Sequence, residues 1–197
     1  IYMTNKIIGI QGDKLDKINI SSDTSIFLAH EAQKRGYKIF YYTPSNLSII
    51  KNKTYANGVF VKFNYERKKF YNIYKKQKIN VENFKFILIR QDPPFNSEYF
   101  ISTLILDDLK KVKVINNPTA IRNVSEKLYS KHFIKFMPNT LFSKDIEEIK
   151  KFYKQNKSMI MKPINGYGGN QIHLIKNKFN KKLIINFLNK NGHSMFQ

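Results

Sequence analysis

Short apolar runs alternate with amphipathic stretches along most of the chain, a pattern that is typical of α/β proteins. The first apolar run, residues 6–11, predicts a buried strand. Residues 21–36 predict a helix that begins at a Ser-Ser-Asp cap and ends at a glycine. Residues 38–43 predict the next strand, which Pro44 ends. Together these segments predict a βαβ unit.

The rest of the first two thirds of the chain continues this alternation less regularly. Residues 85–90 and 112–115 predict buried strands, and residues 98–111 predict the helix between them. Residues 47–83, which follow the βαβ unit, are interpreted as a short hairpin around Asn57-Gly58, followed by a basic helix over residues 65–78. The sequence thus predicts an α/β domain with a parallel sheet over residues 1–124.

The pattern changes in the last third, where short strands lie close to tight turns. Residues 125–133, 145–155 and 180–189 predict helices. Strands are predicted over residues 140–143, 158–162 and 171–175, the last two joined by a glycine-rich loop. We therefore expect a smaller α+β unit over residues 125–197.

Composition leaves two classes of function open. The chain of 197 residues has a net charge of +21, which is typical of nucleic-acid-binding proteins. The basic, aromatic run over residues 63–78 could contact nucleic acid by charge and stacking. However, lysine far outnumbers arginine, and the abundance of Lys, Asn and Ile indicates a biased base composition that inflates the charge on an ordinary enzyme. Neither specific nucleic-acid binding nor membrane association is expected, and the lack of cysteine suits the cytoplasm.

A glycine-rich loop carries the clearest chemical signal. Lys162 ends a predicted strand, and Gly166, Gly168, Gly169 and Asn170 follow within eight residues. Glycines let successive backbone amides approach one phosphate group, and a nearby lysine adds positive charge. The spacing fits neither a Walker A loop nor the dinucleotide-binding fingerprint. A simple hairpin turn remains the alternative.

A second candidate is Arg90, at the carboxyl end of a predicted parallel strand. Ligands bind beyond these strand ends in open α/β sheets. The planar guanidinium group of arginine can bind a carboxylate through two hydrogen bonds, and this chain uses lysine at most other basic positions. A structural ion pair with Asp92 or a neighbour is an equal alternative.

These segments together resemble bacterial glutathione synthetases, which are ATP-grasp ligases. The matching segments follow the family's order along the chain: residues 18–20 with Asp23, 31–36, 41–44, 90–95, 116–123, 126–128, 137–138 with Thr140, and 162–169. The family uses ATP to join γ-glutamylcysteine to glycine through an acyl phosphate. The resemblance implies a preATP-grasp domain, which is Rossmann-like, followed by the first part of an ATP-grasp domain. Another ATP-grasp carboxylate–amine ligase is the alternative within this class.

The resemblance also implies roles for individual residues. Lys127 and Lys162 would bind the nucleotide phosphates. Gly166, Gly168 and Gly169 would form the loop over the transferring phosphate, with Asn170, a departure from the family pattern, beside them. Arg90 would contact the peptide substrate. The family further implies ATP and Mg²⁺ as cofactors and a homo-oligomer as the complete enzyme.

The end of the chain departs from the family, whose members continue past the position of Gln197. No Asp or Glu follows Glu148, although magnesium prefers oxygen ligands such as carboxylates. We therefore expect a fragment whose metal ligands lie in a missing C-terminal part. We also expect apolar surface to be exposed near Phe187 and Phe196.

A fragment of this kind is predicted to make no glutathione, because phosphoryl transfer needs a bound metal and an aligned acceptor. The check is product formation by the purified 197-residue chain with ATP, Mg²⁺, γ-glutamylcysteine and glycine. Turnover by this chain would contradict the prediction.

Overall fold

The computed structural model describes residues 6–66 and 69–197. The chain forms two compact units, the first from residues 1–92 and 97–122 and the second from residues 93–96 and 123–197. Within the described residues, no helix is both long enough and apolar enough to cross a membrane. The predicted fold class, an α/β domain followed by a smaller α+β part, is confirmed.

The first unit is built on a seven-stranded mixed sheet. Its strands are β1 (Ile7–Gln11), β2 (Lys38–Tyr42), β3 (Leu47–Ile50), β4 (Lys53–Phe63), β5 (Tyr71–Asn80), β6 (Phe86–Ile89) and β7 (Lys113–Ile115). Its helices are α1 (Thr24–Lys34), α2 (Ser97–Asp107) and α3 (Pro118–Asn123). The main path through the sheet is β3-β4-β2-β1-β6-β7, and β5 pairs with β4. Strands β2, β1, β6 and β7 are parallel to one another. Strands β3, β4 and β5 pair antiparallel with their neighbours.

The predicted βαβ unit is present as β1, α1 and β2. Asp23 caps α1, because its Oδ1 accepts hydrogen bonds from the backbone N–H groups of Ser25 and Ile26 at 2.5 and 3.2 Å. Ile26 and Ala29 are buried on the helix face that belongs to a core cluster with strands β1 and β2. The helix position is therefore fixed by both its cap and its apolar face.

The predicted basic helix over residues 65–78 is wrong. Most of this span lies in β5, which pairs with β4 from Asn80 opposite Tyr55 to Tyr71 opposite Phe63. Residues 67 and 68 of the predicted helix lie outside the described residues. Lysine tolerates a helix well, but the long edge of β4 offers backbone pairing along the whole segment, and this tertiary pairing overrides the weak local preference.

The hairpin predicted at Asn57-Gly58 is also misplaced, since both residues lie inside β4. The tight turn joins β3 to β4 at Lys51 and Asn52, whose φ angles are +47° and +60°. Two-residue hairpin turns often require positive φ at both positions. Glycine is needed at position 58 for another reason: a Cβ there would lie 2.5 Å from the carbonyl oxygen of Tyr41 on the neighbouring strand.

The second unit has a four-stranded antiparallel sheet in the order β10-β9-β11-β8. Its strands are β8 (Leu141–Ser143), β9 (Ser158–Pro163), β10 (His173–Lys176) and β11 (Ser194–Phe196), and its α-helices are α4 (Ile146–Asn156) and α5 (Lys181–Asn191). The helix predicted near residues 125–133 is instead a 3₁₀ segment, Leu128–Phe136, that is kinked at Phe133. None of its residues is buried, so no apolar face supports a regular α-helix there.

The expectation of exposed apolar surface near Phe187 and Phe196 is wrong for the rings themselves. Phe187 is 6% exposed and Phe196 is fully buried. Both belong to one core cluster with residues of α4, β9 and α5, including Ile149 and Met161. This unit therefore has a core of its own.

We predict that Gly58→Ala lowers the free energy of unfolding by about 1–3 kcal/mol, the usual cost of overpacking. Besides Tyr41, the added methyl group would lie 2.6 Å from Cε1 of Phe40. Chemical denaturation measures the change. The matched control is Asn57→Ala at the adjacent exposed position of β4, for which we expect a change within about 0.5 kcal/mol. Equal stability of the two variants would contradict the clash.

Candidate functional site

The glycine-rich loop of the second unit connects β9 to β10. Gly166 ends its first turn, in which the N–H of Gly166 donates to the carbonyl oxygen of Pro163 at 3.2 Å. A Cβ at position 166 would lie 2.4 Å from Cγ of Pro163, so the turn excludes larger residues. Gly168 and Gly169 have φ angles of +58° and +72°, which L-residues rarely adopt. The three glycines are thus required by the backbone of the loop.

This loop presents polar backbone groups to solvent. Gly168, Gly169 and Asn170 are exposed. The N–H of Asn170 donates to the carbonyl oxygen of Tyr167 at 3.0 Å. Within the described residues, the N–H groups of Gly168 and Gly169 donate to no protein acceptor. Two neighbouring amides are consequently available to an anion such as a phosphate.

Lys127 lies against the same loop. Its ammonium Nζ donates a hydrogen bond to the carbonyl oxygen of Gly166. Its side chain is only 14% exposed, and the carboxylate of Glu126 lies 3.5 Å from Nζ. No local sequence pattern distinguished Lys127 from other helix lysines, and only the family resemblance implied a role for it. The structure places it at the glycine loop.

Lys162 occupies the strand that leads into the loop. Met161 and Pro163 are buried on one face of β9, so Lys162 lies on the opposite face. Its Nζ donates to Oε1 of Gln197 at 2.5 Å, and Nε2 of Gln197 donates to Oγ1 of Thr140 at 3.0 Å. No sequence pattern indicated a role for Gln197, because a contact between residues 162 and 197 arises only from the pairing of β9 with β11.

In the first unit, Arg90 directly follows β6 at its carboxyl end. Its backbone N–H donates to the carbonyl oxygen of Gln11 at 2.7 Å, which continues the pairing of β6 with β1. Its Nε and Nη2 donate to the hydroxyl oxygens of Ser25 and Thr24 at 2.9 and 2.7 Å. In the described part of the chain, Nη1 has no hydrogen-bond partner and no ion pair includes Arg90. The predicted alternative of a pair with Asp92 is therefore not observed.

Acidic residues lie near Asp92, two positions after this arginine, and none of those described forms an ion pair with Arg90. The backbone N–H of Asp92 donates to Oδ2 of Asp13 at 2.8 Å. Partial burial raises the pKa of Asp92 above its ordinary value, the negative charges of Asp13 and Asp23 add to the rise, and Arg90 opposes it. The strand ends therefore combine one cation with several acidic groups.

A buried polar network supports these strand ends. Gln11 is fully buried at the end of β1, and its Nε2 donates to Oε1 of Gln91 at 2.8 Å. Nε2 of Gln91 donates to Oγ of Ser102 on α2 at 3.2 Å, and this hydroxyl donates to the carbonyl oxygen of Tyr99 at 2.8 Å. The network ties Gln91, the residue after Arg90, to β1 and to α2.

The motif over residues 116–123 is held by Arg122. Its Nη2 forms an ion pair with Oδ2 of Asp107 and also donates to Oγ1 of Thr119 at 3.1 Å. The guanidinium group and the Thr119 hydroxyl lower the pKa of Asp107. Asp107 is therefore engaged in joining α2 to α3. Among the described residues, no group of three or more His, Asp or Glu side chains could hold a metal ion.

Comparison with known proteins finds two family models that match the chain. Residues 7–122 match the family model of the prokaryotic glutathione synthetase N-terminal domain. Residues 126–197 match the model of the prokaryotic glutathione synthetase ATP-grasp domain.

Individual proteins show the same relationship. The glutathione synthetase of Rhodopseudomonas palustris is 36% identical over 168 residues, which are 85% of this chain and 53% of that protein. The one from Wigglesworthia glossinidia brevipalpis is 35% identical over 190 residues, 95% of this chain and 60% of that protein. The crystal structure of a RimK domain ATP-grasp protein from Sphaerobacter thermophilus shares the fold, with a TM-score of 0.61 at 12% identity over 97% of this chain and 63% of that one.

The chain spans a little over half the length of these curated relatives. The two family models follow each other along almost all of it, in the order that the two units have here. The chain belongs to the prokaryotic glutathione synthetase family.

Proposed function

We propose that this chain carries the peptide-binding and phosphate-binding parts of a glutathione synthetase. The overall reaction is the ATP-dependent ligation of γ-glutamylcysteine and glycine to glutathione, with ADP and phosphate as the other products. The observation that carries the proposal is the glycine loop, where Lys127 contacts a loop carbonyl group and two glycine amides have no acceptor in the described part of the chain. The curated relatives bear the name of this enzyme.

In this proposal, residues 125–197 begin the ATP-grasp domain and bind the phosphates of ATP. The N–H groups of Gly168 and Gly169 donate to phosphate oxygens, and Gly166 allows the turn that aims them. Asn170 extends the exposed side of the loop, and Lys127 and Lys162 balance the negative charge of the triphosphate. Lys162 is held by an uncharged partner, Gln197, so it can turn to a phosphate without breaking an ion pair.

Residues 1–124 bind the peptide in this proposal. Arg90 is anchored by two hydroxyl groups through Nε and Nη2, which orients the guanidinium plane and leaves Nη1 for a substrate carboxylate. A preoriented arginine loses less conformational entropy on binding than a mobile lysine. Thr24 and Ser25 therefore act as positioning residues for Arg90.

The chemistry is a phosphoryl transfer followed by an acyl transfer. The peptide carboxylate receives the terminal phosphoryl group of ATP and becomes an acyl phosphate, and ADP leaves. The amine of glycine then attacks the acyl carbon and expels phosphate. The described residues do not fit a magnesium ion, because no three of their His, Asp or Glu side chains form a group that could hold one.

Another ATP-grasp carboxylate–amine ligase is the alternative, since D-alanyl-alanine synthetase A from Vibrio cholerae shares the fold with a TM-score of 0.59. Its identity of 14% is far below that of the glutathione synthetases. We further propose a homo-oligomeric complete enzyme in the cytoplasm, with small molecules rather than nucleic acid as its partners.

Arg90→Lys should weaken γ-glutamylcysteine binding about 10- to 100-fold, because a charged hydrogen bond contributes about 1.5–3 kcal/mol. Isothermal titration calorimetry with the peptide measures the change. Arg35→Lys is the matched control, since Arg35 is an exposed arginine that pairs with Glu31 on α1. Undiminished affinity in a folded Arg90→Lys protein would assign Arg90 to structure and remove it from the peptide site.

Lys127→Gln should weaken ATP binding about tenfold or more, because it removes a cation from the glycine loop. The control is Lys150→Gln, an equal loss of charge at an exposed position on α4. Titrations at low and moderate salt separate the two effects, since general attraction between exposed charges is screened. Equal losses of affinity in both variants would show that ATP binds to the basic surface as a whole.

A further inference from the structure

The exposed face of α2, in the first unit, is more apolar than its buried face. The residues that α2 buries are Ser102, Thr103 and Leu106. Ile101 and Leu104, on the other side of the helix, are 46% and 45% exposed. A helix that packs on one side only usually has the reverse arrangement, with apolar residues inside and polar residues in water. The outward face of α2 therefore has the composition of a contact surface.

Hydrogen bonds hold α2 in this orientation. Nε2 of Gln91 donates to Oγ of Ser102 at 3.2 Å, and Nη1 of Arg122 donates to Oγ1 of Thr103 at 3.3 Å. Leu106 belongs to a core cluster of the first unit. Turning the helix over would leave buried polar groups without partners, which is costly. The apolar side of α2 is consequently kept at the surface.

The exposed apolar residues of α2 lie together. Ile101 and Leu104 are three positions apart, so their side chains are neighbours on the helix surface. Ile105, which is half-buried, is four positions after Ile101 and lies beside it. We call Ile101, Leu104 and Ile105 the α2 stripe. Single exposed apolar residues are common, but residues that form a continuous patch mark interaction sites.

Basic residues are absent from α2, although Lys and Arg make up 35 of the 197 residues of the chain. The helices α1, α4 and α5 each contain lysine. Helices that bind to membrane surfaces usually carry Lys or Arg beside their apolar face, which attracts anionic lipids. The α2 stripe therefore suits the surface of a protein rather than that of a membrane.

The two ends of α2 carry opposite charges. Glu98 lies in the first turn, and Lys110 and Lys111 follow the last turn. Asp108 precedes these lysines, which outnumber it, and all four residues are exposed. In the described part of the chain, Glu98 and the two lysines form no ion pair. Two antiparallel copies of α2 bring the acidic end of each to the basic end of the other, whereas parallel copies bring like charges together.

We propose that α2 binds α2 of a second copy of this chain, antiparallel and around a two-fold axis near Leu104. The α2 stripes of both copies form the centre of the contact, because the surface of a two-fold dimer must be self-complementary. A contact that centres on a helix of 11 residues is smaller than the standard interface of about 800 Å² per partner, so we expect a weak dimer with a Kd on the order of 100 µM.

Sedimentation velocity of the 197-residue chain, over a concentration series that spans the expected Kd, measures this association. The double variant Ile101→Gln with Leu104→Gln should raise the Kd at least about tenfold, because it removes the apolar centre of the contact from both copies. Glutamine is a good helix former, and an unchanged circular dichroism spectrum verifies that the variant is folded.

The matched control is Leu183→Gln with Ile185→Gln on α5. It also replaces one leucine and one isoleucine, which are 36% and 37% exposed. Its Kd should change less than about twofold, because these two side chains are two positions apart and do not face each other on the helix surface. A chain that stays monomeric at every concentration, or equal losses in the two double variants, would overturn the proposal.

Cross-linking tests the antiparallel arrangement, since the chain has no cysteine of its own. Leu104→Cys should form a disulfide between two copies under mild oxidation, because residues at the axis come within bonding distance. Ser97→Cys should not, since the two cysteines would be about 20 Å apart along the helices. Preferential cross-linking at position 97 would contradict the arrangement. Both experiments omit ATP and peptide, so their outcome is independent of the proposed ligase function.

Discussion

The placement of β1 between β2 and β6 is the constraint on which the first unit depends. Parallel pairing on both sides aligns the carboxyl ends of the strands at one edge of the sheet. The pairing continues past the strands through the backbone N–H of Arg90, which donates to Gln11. Arg90 therefore lies at the N-terminal end of α1, where the hydroxyl groups of Thr24 and Ser25 hold its guanidinium group.

The second unit depends on a different constraint, the backbone of its glycine loop. Two successive residues with positive φ, Gly168 and Gly169, turn the chain between β9 and β10, and their amides have no acceptor among the residues that the structure describes. The contact of Lys127 with a loop carbonyl group places a cation beside those amides. The phosphate site that we propose therefore combines one local conformation with one contact between distant parts of the sequence.

The high net charge is distributed so that some lysines have defined partners while others are solvated. Lys127 donates to the carbonyl oxygen of Gly166 and is paired with Glu126, and Lys162 donates to Gln197. Many of the others are exposed, including Lys75, Lys76 and Lys78 on the edge strand β5. Charged residues on an edge strand also oppose pairing with the edges of other sheets. The basic, aromatic run that suggested a helix thus becomes a solvated sheet edge.

The sequence by itself determined the βαβ unit, the fold class and the glycine loop, because these depend on local signals. Apolar runs, the Asp23 cap and the glycines act within a few residues of where they stand. The family resemblance added Lys127, which no local pattern distinguished from other lysines.

Only the tertiary structure decided the features that depend on distant partners. Residues 71–80 form a strand because β4 offers them an unpaired edge, and Gly58 is required by the neighbouring carbonyl group of Tyr41 rather than by a turn. Gln197 meets Lys162 only through the pairing of β9 with β11. Local propensities contribute less to stability than the strand pairing and packing of the whole fold. Such contacts therefore cannot be predicted from neighbouring residues.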